Sequence, residues 1–199
     1  MHFSPTDDGE HRVVIPMLHS ARKGDIVRIA MFGGTGLELT RAIQIAVARG
    51  AHVKMVLDSG TFGIGSWTKG TGRGFISDSI LATNPIIGKE GYPRDEAGTL
   101  IVRTERWDFA GDGGLVHHKT GSLTRALSNG KYQEETIVVG SQNWSEGGND
   151  NNDENMVSIR NLKKGLPVIQ AFNKHFDEEL LPAANILPKL MKDGTVEYE

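Results

Sequence analysis

The stretch Asp25-Ile26-Val27-Arg28-Ile29-Ala30-Met31-Phe32, followed by Gly33-Gly34-Thr35-Gly36, contains the pattern that decides the fold. Its apolar run, closed by glycines, is typical of a strand that is largely buried in a sheet. Residues 37–49 then carry apolar side chains at helical spacing as far as Gly50, and residues 53–57 form a second apolar run. A strand, a helix and a strand in this order predict a parallel pair joined by a right-handed crossover.

Outward from this unit, the chain alternates further short apolar runs with two amphipathic stretches. The amphipathic stretches predict helices over residues 13–21 and 166–181, the second with a stripe of Val168, Ile169, Phe172, Phe176 and Leu180. Together with the two strands of the first unit, the short runs predict an α/β fold with a sheet of about six strands. These further predicted strands are residues 99–103, 115–119, 136–139 and 156–160.

The composition excludes several classes of function. The 22 basic and 25 acidic side chains give a net charge of -3, so no overall positive charge draws the chain to polyanions. The chain has no cysteine, which excludes a disulfide framework, a thiolate nucleophile and a cysteine-held metal. Residues 1–8 lack the basic and apolar regions of a signal peptide, and no apolar run reaches the ~18 residues of a transmembrane segment. We therefore expect a soluble chain, cytoplasmic, or secreted if it is part of a longer precursor.

The histidines of Val116-His117-His118-Lys119 are the first candidates for chemistry. Because alternate side chains of a strand share a face, the predicted strand turns His117 and Lys119 to one side and His118 to the other. A neutral imidazole can attack phosphorus, and a protonated imidazole can donate a proton to a leaving oxygen. Two such groups divide the work of cleaving a phosphodiester without a metal or another cofactor.

Small polar side chains follow at the end of the next apolar strand, in Gly140-Ser141-Gln142-Asn143. Together with Lys119, the side chains of Ser141 and Asn143 would hold the non-bridging phosphate oxygens and stabilise the charge of the transition state. Glu154 precedes another apolar strand and would accept a hydrogen bond from His117 Nδ1, which fixes the tautomer of the imidazole.

The motifs His117-x-Lys119, Gly140-Ser141-x-Asn143 and Glu154-Asn155 together resemble the H-x-K…G-S-x-N…E signature of the phospholipase D superfamily. The likeness covers most of the chain, including Phe3-Ser4-Pro5, residues 43–57 and the terminal helix. It implies a phospholipase D-like α-β-α sandwich whose mixed, largely parallel sheet is flanked by helices, with one domain over residues 1–199. It also implies a metal-independent phosphodiesterase.

The same resemblance implies roles for individual residues. His117 forms or assists a covalent phosphohistidine, either as the nucleophile or as the general acid. Lys119 and Asn143 bind the phosphate, and Glu154 orients a histidine.

Two departures from the family pattern bear on these roles. The motif usually reads H-x-K-x-x-x-x-D, and Thr124 stands at the aspartate position. Active sites of the family use two H-x-K motifs, and this chain has one. The second histidine then comes either from a homodimer partner or from another chain that carries the missing half.

The substrate class stays open between two phosphodiesters. An apolar lip of Phe62, Ile64, Trp67 and Phe75, in a glycine-rich loop over residues 59–98 near the site, favours a phospholipid and thus lipid degradation. The cationic side chains of Lys69, Arg73, Arg103 and Arg106 suit a nuclease that acts on DNA or RNA as a homodimer. A third alternative, prompted by Thr124 and the single motif, is a degenerate module that binds phosphate without cleaving it.

Overall fold

The strand-helix-strand unit predicted from the sequence forms the middle of the sheet. A computed structural model describes residues 1–3, 7–32, 37–57, 98–104, 117–144, 153–161, 166–186, 189–190 and 196–197. In chain order, the described strands are β1 (His2–Phe3), β2 (Ile26–Met31), β3 (His52–Leu57), β4 (Leu100–Thr104), β5 (Lys119–Ala126), β6 (Tyr132–Gly140), β7 (Asn155–Arg160), β8 (Asn185–Ile186), β9 (Lys189–Leu190) and β10 (Val196–Glu197).

The described helices precede, interrupt and follow these strands. A π-helical turn, Glu10–Val14, continues into α1 (Ile15–Ser20), and α2 (Leu37–Ala48) connects β2 to β3. Near the C-terminus α3 (Leu166–His175) continues through a second π-helical turn, Phe176–Leu180, into α4 (Leu181–Ala183).

The main sheet has the order β1-β7-β6-β5-β2-β3-β4-β8, and β9 pairs with β10 in a separate ribbon. The predicted mixed α/β sheet is confirmed, but its parallel part is confined to the pairs β2–β3 and β3–β4. The remaining neighbours in the main sheet are antiparallel. The expectation of a largely parallel sheet therefore needs correction, because β5 and β6 are joined by a tight turn that only antiparallel neighbours allow.

That turn contains Asn129-Gly130, a pair of residues that is typical of β-hairpin turns. The Leu127 N–H donates to the Lys131 carbonyl at 2.8 Å, and Gly130 has a φ of 77°, a conformation that glycine adopts without strain. The strand before it differs from the prediction of residues 115–119, since β5 begins only at Lys119 and continues to Ala126. His117 and His118 therefore precede the strand.

Helices cover both faces of the sheet, as expected for a sandwich. On one face, side chains of α1 and α2 pack on β2 and β3 in a buried core that includes Leu18, Ile43, Val27 and Met55. On the other face, the C-terminal helical segment buries Phe176 and Leu181 against Ala30 and Val56. Among the described helices, none is long and apolar enough to cross a membrane.

A polar network links the second face of the sheet to the C-terminal segment. Arg28 of β2, which is 6% exposed, donates from Nε to Asp177 Oδ2 at 2.9 Å and from Nη1 to Thr124 Oγ1 at 3.1 Å. Lys54 Nζ donates to Asp177 Oδ1 at 2.9 Å, and Asn173 Nδ2 donates to Thr124 Oγ1 at 3.2 Å. Thr124, at the position where the motif usually has aspartate, is thus buried and hydrogen-bonded to Arg28.

A histidine bridge ties the first π-helical turn to α2, and it predicts a pH dependence of stability. His11 Nδ1 lies 2.6 Å from Asp8 Oδ2, and its Nε2 lies 2.9 Å from Glu38 Oε2. The hydrogen bond to Asp8 raises the pKa of His11, with support from the charges of Asp8 and Glu10 and the bond to Glu38, against the opposing effect of burial. A raised pKa stabilises the fold below the unfolded value of 6.5, and this stabilisation is lost as pH rises through the folded pKa.

We expect the His11→Gln variant to lose this pH dependence. The three side chains of the bridge are 43%, 40% and 64% exposed, so solvent screening keeps the effect below about 1 kcal/mol. Urea unfolding at about pH 5.5 and about pH 8 measures it. His19→Gln, at the exposed end of α1, is the control, and an unchanged pH dependence in His11→Gln would contradict the bridge.

Candidate active site

The ends of four neighbouring strands meet at one edge of the sheet, and the predicted site residues lie there. Met31, the last residue of β2, pairs with Lys119, the first residue of β5. Thr120 pairs with Val139, which places Lys119 beside Gly140 at the end of β6. Gly140 in turn pairs with Met156 near the start of β7. The two motifs, more than 20 residues apart in the chain, are thereby one strand spacing apart, about 4.8 Å.

Phe32 holds His117 and Lys119 on the same side of the sheet edge. Its ring centroid lies 4.9 Å from that of His117 and 4.7 Å from Lys119 Nζ, within the range of a cation–π interaction. Lys119 Nζ also donates to the His117 carbonyl at 3.2 Å. Lys119 is 5% exposed while His117 is exposed, so a reachable imidazole stands over a buried ammonium group.

The turn after β6 is fixed to the start of β7 through Ser141 and Asn155. The Ser141 N–H donates to the Asn155 carbonyl at 3.0 Å, and the Asn155 N–H donates to Ser141 Oγ at 3.1 Å. A Cβ at Gly140 would lie 2.0 Å from the Asn155 carbonyl oxygen, so only glycine permits this approach of the two strands. The Ser141 hydroxyl therefore accepts a hydrogen bond in this structure and holds the turn in place.

Asn143, two residues further, carries an unused hydrogen-bonding group. Its Oδ1 is buried and has no hydrogen-bond partner among the described residues, and the same holds for Nε1 of the fully buried Trp144. The Trp144 ring packs on Gly121, where a Cβ would come within 2.6 Å of it, so the turn lies against β5. A buried polar group without a partner costs about 1–3 kcal/mol. Oδ1 is an acceptor, so the Nδ2 of the same amide is the atom that could donate to an anion.

Glu154 and His117 precede strands that are not neighbours in the sheet. No hydrogen bond joins the two side chains in the described part of the structure, although Glu154 directly precedes β7 at the same sheet edge. The reason is the strand order, since β6 lies between β5 and β7 and separates the two backbones by two strand spacings, roughly 10 Å. The hydrogen bond expected from His117 Nδ1 to Glu154 is not present in the described structure, and the role of Glu154 in orienting a histidine stays a prediction.

His118 lies on the opposite face, next to the C-terminal helix. Its ring centroid is 6.4 Å from that of His175, the last residue of α3. Burial lowers the pKa of His118 below its usual value, and the positive charges of His175, Lys119 and His117 lower it further. The edge of the sheet thus carries basic side chains on both faces.

Two members of this cluster were not identified from the sequence. Phe32 closes a predicted strand, and its position directly before Gly33 is the only signal that it borders a site. His175 lies on a helix 57 residues after His118 in the chain, and nothing in the local sequence connects the two. The described residues contain no group of three or more histidine, aspartate and glutamate side chains that could hold a metal ion. Apart from Gly98, the glycine-rich loop over residues 59–98 lies outside the described residues.

Comparisons with known proteins bear on the family and the fold of the chain. The family model described as "Cardiolipin synthase, PLD-like domain" matches residues 14–180. The structure of Nuc from Salmonella typhimurium, a phospholipase D family member, aligns with a TM-score of 0.60 at 20% identity, over 93% of this chain and 94% of Nuc. NucT from Helicobacter pylori aligns with a TM-score of 0.56 at 19% identity, over 92% of this chain and 94% of NucT. No curated protein sequence matches the chain significantly.

Proposed function

This chain belongs to the family of phospholipase D-like domains, and from that premise we propose that it hydrolyses a phosphodiester through a phosphohistidine on His117. One observation carries the proposal. The Phe32 ring holds the His117 imidazole and the Lys119 ammonium group together, beside the turn that presents Asn143. An exposed nucleophile next to a buried cation and an amide donor is what attack on an anionic phosphorus requires.

In the first step, His117 attacks phosphorus while the bond from phosphorus to the leaving alcohol breaks. Lys119 Nζ and Asn143 Nδ2 donate to the non-bridging oxygens and stabilise the charge that builds there. A second, protonated imidazole gives its proton to the leaving oxygen. The products of this step are the free alcohol and a covalent phosphohistidine that still carries the other ester group.

In the second step, water attacks the phosphohistidine. The second imidazole, now neutral, removes a proton from this water, and the bond between phosphorus and His117 breaks. The phosphate monoester leaves, and both imidazoles return to their starting protonation states. No metal ion or other cofactor enters either step.

The second imidazole in this proposal is His117 of the partner subunit in a homodimer. Two observations favour a homodimer over a missing half on another chain. His117 is exposed at the sheet edge and therefore accessible to a second copy, and a chain with one H-x-K motif spans 94% of Nuc and of NucT. In a symmetric dimer one copy of His117 is the nucleophile and the other is the general acid. Glu154 would then orient a histidine that is not the His117 of its own chain.

Two substrate classes remain candidates for this site. The side chains that favour a phospholipid, such as Phe62 and Trp67, lie outside the described residues, so this candidate rests on the sequence and the name of the family model. A feature of the described surface favours a nucleic acid, because basic side chains at the sheet edge continue past Lys119 to His118 and His175, where a second phosphate could be hydrogen-bonded.

Hydrolysis of bis(p-nitrophenyl) phosphate in the presence of EDTA tests the proposal. We expect turnover by the purified chain and sedimentation as a dimer. Parallel assays on phosphatidylcholine vesicles and single-stranded DNA separate the two substrate classes. A chain that binds inorganic phosphate but never releases nitrophenol would contradict the proposal and favour the degenerate module.

A further inference from the structure

His118 and His175 form a second pair of imidazoles that the proposed reaction does not use. Their ring centroids are 6.4 Å apart with planes inclined by 48°, and both side chains are exposed. His118 directly precedes β5 and His175 ends α3, so the pair bridges the sheet edge and the helix that covers this face. The pair lies on the side of the sheet away from the Phe32 ring.

Buried hydrogen bonds attach the helix that ends at His175 to the strand that follows His118. Ser122 Oγ donates to Asn173 Oδ1 at 2.6 Å, and Asn173 Nδ2 donates to Thr124 Oγ1 at 3.2 Å. These bonds fix α3 along β5 at a position two residues before His175. The packed interior therefore sets the distance between the backbone segments that carry the two histidines.

Both basic and acidic side chains surround the pair. Lys119 and His117 lie on the strand side of His118, and His175 lies on the helix side. On α3 and its π-helical continuation, Glu179 Oε2 contacts His175 Nδ1 at 3.2 Å, and Glu178 lies 3.9 Å from Lys174. Because Glu179 contacts Nδ1 of His175, Nε2 is the ring nitrogen that remains for a ligand. A bound phosphate would favour the protonated form of both imidazoles and accept a hydrogen bond from each ring.

We propose that His118 and His175 bind the phosphate that follows the scissile one, so that the substrate is a single-stranded nucleic acid. This inference rests on the proposed function. His118 is adjacent in the chain to His117, with Cα atoms 3.8 Å apart across the peptide bond. A strand that lies across the sheet edge presents one phosphate to His117 and Lys119 and its neighbour to His118 and His175. A phospholipid with a single phosphate has nothing to place there.

The test compares DNA cleavage with cleavage of a substrate that has one phosphate. For wild type, His118→Gln and His175→Gln, kcat/KM is measured on a single-stranded DNA oligonucleotide and on bis(p-nitrophenyl) phosphate. We expect the ratio of the two values to fall about tenfold in each variant, mainly through KM for DNA, the size expected for one charge-assisted hydrogen bond. His19→Gln, an exposed histidine at the opposite end of β2, is expected to leave the ratio unchanged.

The outcomes separate this inference from the proposed function. If the wild type cleaves neither substrate, the proposed function fails. If it cleaves both but the ratio is unchanged in the two variants, the second-phosphate site is refuted while the function stands. Cleavage of phosphatidylcholine vesicles with no cleavage of DNA also refutes the site. A titration with inorganic phosphate followed by NMR provides an independent check, since the ring protons of His118 and His175 are expected to shift together, and absence of a shift opposes the proposal.

Discussion

Replacing His117 by glutamine is expected to lower kcat on bis(p-nitrophenyl) phosphate by at least about 10⁴-fold. Removal of a covalent nucleophile leaves only binding and charge stabilisation, which typically retain a small remnant of the rate. Glutamine keeps a polar side chain of similar length, and His117 is exposed, so the fold is expected to survive. Steady-state rates measured together with thermal unfolding separate loss of chemistry from loss of structure.

The matched control for this variant is His19→Gln, which removes an exposed histidine at the other end of β2. It is expected to keep the activity of the wild type. Retention of more than about one hundredth of the wild-type kcat by the His117 variant would oppose its role as nucleophile. Wild-type activity that persists after mixing with an excess of the inactive variant would oppose the shared, dimeric site.

Removal of the Asp177 carboxylate is expected to cause the largest loss of stability. Asp177→Ala leaves the guanidinium of Arg28, which is 6% exposed, with Thr124 Oγ1 as its remaining acceptor in the described structure. A buried cation without its counter-charge costs about 3 kcal/mol, and Lys54 loses its acceptor as well. For a chain of this size, this corresponds to a fall in Tm of roughly 6–12 °C.

A compensating substitution tests the reason for this loss. Thr124→Asp restores a carboxylate where the family motif usually has one, within reach of both Arg28 Nη1 and Asn173 Nδ2. We expect the double variant Thr124→Asp with Asp177→Ala to regain more than half of the lost stability, which a double-mutant cycle from urea unfolding measures. Glu178→Ala, which removes a neighbouring acid that is 63% exposed, is the control and is expected to have little effect. A double variant that is less stable than Asp177→Ala alone would contradict the idea that a carboxylate at position 124 can replace that of Asp177.

The pKa of Asp177 predicts how the free energy of unfolding changes in acid. Burial raises the pKa of Asp177, but the hydrogen bonds from Arg28 and Lys54 outweigh burial and hold it below the usual 3.8. A depressed pKa contributes stability above the unfolded value, and this contribution is lost as pH falls through the folded pKa. The difference in unfolding free energy between wild type and Asp177→Ala is therefore expected to shrink as pH falls below about 4.

The predictable parts of the fold are those in which local pattern and burial agree. Strands β2 and β3 and helix α2 have nearly the predicted bounds, because their apolar side chains face a continuous core. Strand β5 was predicted too early in the chain because its small polar residues resemble a loop. Ser122 and Thr124 are nevertheless buried, since their partners are Asn173 and Arg28, far away in the chain. No local pattern contains that information.

The candidate site also has parts that the sequence predicts and parts that it does not. The spacing of its motifs is enough to single out His117, Lys119, Ser141 and Asn143, and the structure brings their strand ends to one edge. The separation of Glu154 from His117 depends on the strand order, which spacing alone does not determine. Likewise Val168 belongs to the predicted apolar stripe but is 49% exposed, because α3 turns Ile169 rather than Val168 toward the sheet.

Capture of the covalent intermediate tests the central claim most directly. The chain is mixed with an excess of a phosphodiester labelled at phosphorus, quenched in base during turnover, digested and sequenced by mass spectrometry. We predict a phosphoryl ester adduct on His117 that is stable in base and labile in acid, and that is absent from the His117→Gln variant. Steady turnover without any adduct on His117, or an adduct on Ser141 instead, would contradict the account.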